Sequence, residues 1–88
     1  MQDDMSDIEY QVMDELYFLT SFHKLMENTE LEEIQLKNCL ENLIKKGWVR
    51  CFEDTKGEYP IDEIDFNNKF TDYQYLATKK GLLAHNSI

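Results

Sequence analysis

Bases are scarce in this 88-residue chain: nine Lys and Arg stand against 18 Asp and Glu, a formal net charge of -9. Contact with a phosphate backbone needs Lys and Arg, so a broadly cationic nucleic-acid surface is excluded. Proline occurs once and glycine three times, the composition of a folded, mainly helical domain rather than a disordered tail. With only two cysteines, separated by eleven intervening residues and outside any C-x-x-C or paired-histidine pattern, neither a zinc site nor a redox motif is spelled out, and the expectation is no metal and no cofactor. Cys39 and Cys51 read as buried reduced thiols. No apolar run approaches membrane-spanning length, and the N-terminal MQDDMSD is acidic where a secretory signal would be basic, so a cytoplasmic protein is expected. His23 and His85 lack the neighbours that would make a nucleophile and base, and Gly47, Gly57 and Gly81 are isolated rather than clustered around a phosphate. An enzyme is not expected.

What is present is a set of local start and stop signals for one domain over residues 1–88. Ser6-Asp7-Ile8-Glu9 is a capping box, and a first helix should run from there to about Thr20, burying Ile8, Val12, Leu16 and Leu19. Tyr10, Met13 and Tyr17 lie off that stripe. They are candidates for a homodimer interface, the alternative being that they pack on the C-terminal helix or the long loop of the same chain. Ser21 caps a short second helix with Phe22, Leu25 and Met26 inward, ending near Asn28. Thr29-Glu30-Leu31-Glu32 reads as a second capping box, opening a helix over about 30–46 that buries Leu36, Leu40, Leu43 and Ile44 and stops at Gly47.

Trp48 to Phe52 is aromatic and β-branched and reads as a strand, with Tyr73 to Ala77 as its antiparallel partner. The twenty residues between them form a long acidic loop, with a helical turn expected around Ile61 to Phe66. Thr78 caps a last helix, Lys79 to His85, packing Leu82 and Leu83. The aromatic set Trp48, Phe52, Tyr73 and Tyr75 reads as core rather than as a stacking platform for bases.

Charge is segregated along this chain. Residues 34–52 carry Lys37, Lys45, Lys46 and Arg50 against Glu41 alone, a local +3, whereas residues 1–33 carry ten acids against one lysine. Projected at helical spacing, Gln35, Asn38, Asn42 and Lys45 fall away from the leucine stripe, and carboxamides can bond adenine while lysine can reach guanine or phosphate.

LIKKGWVRCFED resembles the end of the recognition helix and first wing strand of bacterial winged-helix transcriptional regulators, and YQYLATKKGLLAH resembles their second wing strand and following helix start. The resemblance spans residues 7–85. It implies a mainly α fold with a small β-hairpin (α+β), a winged helix-turn-helix of three helices, a two-stranded wing over about 48–77 and a short C-terminal helix. It also implies a DNA-reading transcriptional regulator, with Gln35, Asn38, Asn42, Lys45, Lys46 and Arg50 as the DNA-binding residues. The alternative is an acidic winged-helix module that binds a basic protein partner, because Glu53, Asp54, Glu58, Asp62, Glu63 and Asp65 surround Lys56 and Lys69 in the wing.

Overall fold

A computed structural model describes residues 5–53 and 65–86. The elements, in chain order, are α1 (Asp7–Glu15), β1 (Thr20–Ser21), α2 (Phe22–Thr29), α3 (Glu33–Lys45), β2 (Val49–Phe52), α4 (Phe66–Lys69), β3 (Gln74–Ala77) and α5 (Lys79–Asn86). Among the described residues the fold is α+β: five helices and a three-stranded antiparallel sheet of order β1-β3-β2. The expected hairpin is present, with Val49 opposite Ala77 and Cys51 opposite Tyr75. It is not alone, because β1 adds to the free side of β3 through Thr20 and Ser21. Two residues give no readable alternation, so the sequence carried no sign of this strand.

The start of α1 follows its capping box: Glu9 N–H donates to Ser6 Oγ at 3.1 Å and Ser6 N–H donates to Glu9 Oε1 at 2.9 Å. The buried stripe is rotated from expectation. Glu9, Val12 and Met13 are buried with Leu16, whereas Ile8 is 39% exposed. The cause is that α1 is packed on three sides, by α2, α3 and α5, which pulls the Met13 side into the core and leaves Ile8 at the edge. The helix also stops at Glu15, short of Thr20, because Thr20 is drawn into the sheet.

The turn between α2 and α3 corrects a second expectation. Thr29 does not cap α3; it is the last residue of α2, and it is buried. Its Oγ1 donates to Leu25 C=O at 2.7 Å and accepts from Leu31 N–H. Glu30, not Asn28, takes the left-handed turn conformation at φ 59°. α3 therefore begins later than residue 30, with Glu32 as its N-cap and Glu32 N–H donating to Gln35 Oε1 at 3.2 Å. Thr29→Ala should still lower stability by about 1 to 2 kcal/mol, now because Leu31 N–H loses its acceptor and a methyl and hydroxyl leave a packed site. An unchanged denaturant midpoint would show that the turn holds without Thr29.

Leu36, Leu40 and Leu43 are fully buried beside Phe22, Leu25 and Tyr75, as the leucine spacing predicts, and Gly47 follows α3 at φ 78°. Trp48, Phe52, Tyr73 and Tyr75 are core. Tyr75 Oη, deep in this core, donates to Phe70 C=O at 2.6 Å. The helical turn expected around Ile61 to Phe66 starts at Phe66 as α4; Ile61 to Ile64 lie outside the described residues, as do Asp54, Lys56, Glu58, Asp62 and Glu63 of the expected acidic wing. On α5, Thr78 Oγ1 accepts from Gly81 N–H at 3.0 Å, as a cap should, but Leu83 points outward and the buried positions are Gly81 and His85. No helix among the described residues is long and apolar enough to cross a membrane.

Candidate functional site

α3 displays its helix in two unequal faces. Ile34 is 57% exposed, and Asn38, Asn42 and Lys45 are exposed along the same side, while Gln35 is also exposed but turned toward α1. Gln35, Asn38 and Asn42 line a furrow of about 400 Å³ whose other wall is Ser6, Ile8 and Glu9 of the α1 start, with Cys39 and Lys46 completing it. The carboxamides thus border a recess shared with α1 and do not crown an isolated ridge.

Lys46 corrects the expected DNA-binding set. Its Nζ donates to both carboxylate oxygens of Glu9 at 3.0 Å, and it sits 4.7 Å from the centroid of the Trp48 ring. The Glu9 side chain is only 9% exposed and that of Lys46 25%, so the ammonium is committed to neutralising a buried carboxylate. Lys37 is engaged over Phe70 at 5.0 Å. Of the expected contacts, Asn38, Asn42, Lys45 and Arg50 stand exposed, Gln35 lends its Oε1 to the α3 cap, and Lys46 is withdrawn.

The N-terminal end of α3 was not singled out by the charge count, and it proves the most one-sided surface in the region. Glu30, Glu32 and Glu33 are all exposed there, followed at once by Ile34. These three are among the ten acids of residues 1–33, and it is the fold that gathers them at the start of α3.

Tyr10, Met13 and Tyr17 take up the intramolecular alternative. Met13 is fully buried, which removes it from any interface. Tyr10 stacks on the His85 ring at 4.2 Å, and Tyr17 Oη meets His85 Nδ1 at 2.8 Å and donates to Asn86 Oδ1 at 2.9 Å. His85 Nε2 lies 2.9 Å from Asp14 Oδ1 without making a hydrogen bond to it. The two tyrosines therefore clasp α5, with their outer rims left to solvent.

The two thiols are free and buried. Burial, then the charge of Glu9, pushes Cys39 from 9.0 up to about 12, with Lys46 partly opposing; burial alone takes Cys51 to about 12. Below pH 9 the thiols hold their protons whether the chain is folded or not, and between 9 and about 12 only the unfolded chain releases them, so stability should fall across that window. Native protein should react with a thiol reagent at about pH 8 far more slowly than free cysteine does. Equal rates would mean the thiols are not shielded. Among the described residues no group of His, Cys, Asp and Glu is arranged to hold a metal.

No protein-family model matches the chain, and neither a curated protein nor a solved structure does.

Proposed function

We propose that this chain is a winged-helix domain that engages a protein partner through the surface around α3 and does not read DNA. The winged-helix reading is supported by the order of three helices, a hairpin and a closing helix, and by the short β1 lying beside β3 ahead of α2. The choice of partner is carried by one observation, the exposed Glu30, Glu32 and Glu33 at the start of α3. In a helix-turn-helix the N-terminal residues of the recognition helix meet the base edges. Three carboxylates at that end would be driven toward phosphate, at a cost that Lys45 and Arg50 do not offset. The adjacent Ile34, 57% exposed, gives the same end an apolar anchor suited to a protein surface.

A DNA-reading regulator is the second reading, favoured by the exposed carboxamides of Asn38 and Asn42 beside Lys45. A mobility-shift assay against a pool of genomic fragments at about 50 mM salt separates the two. The expected result is no retarded duplex. A shift with a log–log salt slope of about -3 to -5, weakened by Lys45→Ala and made less selective by Asn38→Ala, would put the regulator in place of the interaction module.

A further inference from the structure

We propose that the furrow between α1 and α3 binds an extended peptide segment of the partner, held through its main chain and carrying a basic residue at one end. The proposal rests on the interaction-module reading above and assigns it a site and an occupant. The furrow's apolar part is Ile8, 39% exposed, with Cys39 beneath it. Its long wall is Gln35, Asn38 and Asn42, spaced about 4.5 and 6 Å apart along the helix axis. Asn38 and Asn42 make no side-chain hydrogen bond to any described residue, and Gln35 has used only its Oε1, so its amide hydrogens are left.

A carboxamide offers two donors and an accepting oxygen, the complement of a peptide group in either direction. An extended chain presents same-side groups about every 6.6 Å, close to the roughly 6 Å between Asn38 and Asn42, whereas a helical ligand has already spent its main-chain groups on itself. From Gln35 to Lys46 the wall runs about 16 Å, room for about five extended residues.

Charge sets the occupant's sign and direction. Glu32 and Glu33 are exposed at one end of α3 and Lys45 at the other, while Lys46 is cancelled by Glu9. A lysine or arginine of the segment therefore belongs over Glu32, which adjoins Gln35 at the furrow's end, an apolar side chain over Ile8 and Cys39, and a neutral or acidic residue toward Lys45. DNA is a poor fit to the same groups, since carboxamides lining a recess do not protrude to reach base edges in a duplex groove.

The test is a selection of displayed random nine-residue peptides on the intact chain, followed by fluorescence anisotropy with the leading peptide and with its alternately N-methylated form. The expected peptides combine a terminal Lys or Arg with a central apolar residue. Binding should weaken about tenfold in Asn38→Ala/Asn42→Ala, in Glu32→Lys, and on N-methylation, each through lost hydrogen bonds or reversed charge. These side chains are exposed, and unchanged thermal melts would show that the variants fold. No enriched peptide, or binding indifferent to the asparagine pair or to N-methylation, overturns the proposal. Peptide binding lost in Glu32→Lys but kept in Asn38→Ala/Asn42→Ala removes the furrow and leaves the interaction reading standing; failure of that reading registers separately, as a duplex shift.

Discussion

Gly81→Ala should remove a large share of the domain's stability. Gly81 lies within α5 with no unusual backbone conformation, and helix propensity alone would reward alanine by about 1 kcal/mol. The position reverses that sign. A β-carbon on Gly81 would run into the backbone C=O of Trp48 and approach Met13 Cε to 2.9 Å. The methionine end can swing aside, but the carbonyl cannot, because it accepts from Thr78 N–H at 2.9 Å and belongs to the chain entering β2. Relief requires lifting α5 off the sheet and off α1, which places the cost at about 3 kcal/mol or more. A small domain holds roughly 5 to 15 kcal/mol in total, so this is a large share. Leu83→Ala, on the outward side of the same helix, serves as the comparison and should move the denaturant midpoint little. Stability equal to the parent in Gly81→Ala would mean that α5 is not seated against Trp48.

The second large effect concerns Lys46. Lys46→Met removes the ammonium from a carboxylate that is almost wholly buried, and should cost about 3 kcal/mol, the lower end of the range for breaking a buried pair because Lys46 itself keeps some contact with water. Its contact with the Trp48 ring adds little to that figure, since a methionine sulfur can replace the ammonium there. Glu9→Gln/Lys46→Met should recover most of the loss: the amide oxygen can still accept from Ser6 N–H, and no charge is left without a partner. The cycle is read by urea denaturation at two salt concentrations, with little salt dependence expected for a shielded pair. A single-variant cost under about 0.5 kcal/mol would mark an ordinary surface ion pair and would return Lys46 to the set of free cations.

Elements specified by neighbours in sequence were legible before any coordinates. The Ser6 box, the Ser21 cap, the leucines of α3, Gly47 and the Thr78 cap each depend on residues three or four apart, and each stands where its local pattern places it. What escaped was set by contacts between distant segments. The rotation of α1 that buries Met13 and exposes Ile8 follows from three helices closing on it, and the burial of Glu9 from Lys46, 37 residues away. Glu9 already had a full local explanation in the capping box, so no signal remained to mark its second partner. Thr29 was misread for the opposite reason: T-E-L-E fits a cap, but a hydroxyl satisfied by Leu25 C=O in the last turn of α2 is silent in sequence. For the candidate site, the exposure of Asn38, Asn42 and Lys45 was legible from helical spacing, whereas the wall supplied by Ile8 and the loss of Lys46 were not.

The clasp of Tyr10 and Tyr17 on His85 has a bearing on how the molecule is made. Tyr17 and its partner ring are 68 positions apart, so the first helix is synthesised long before the last one exists to cover it. Until then the side of α1 that carries Met13 has no permanent cover, and the segment is exposed to unwanted association. Folding of this domain is therefore expected to finish only after synthesis has passed α5, with the earliest part of the chain among the last to become protected.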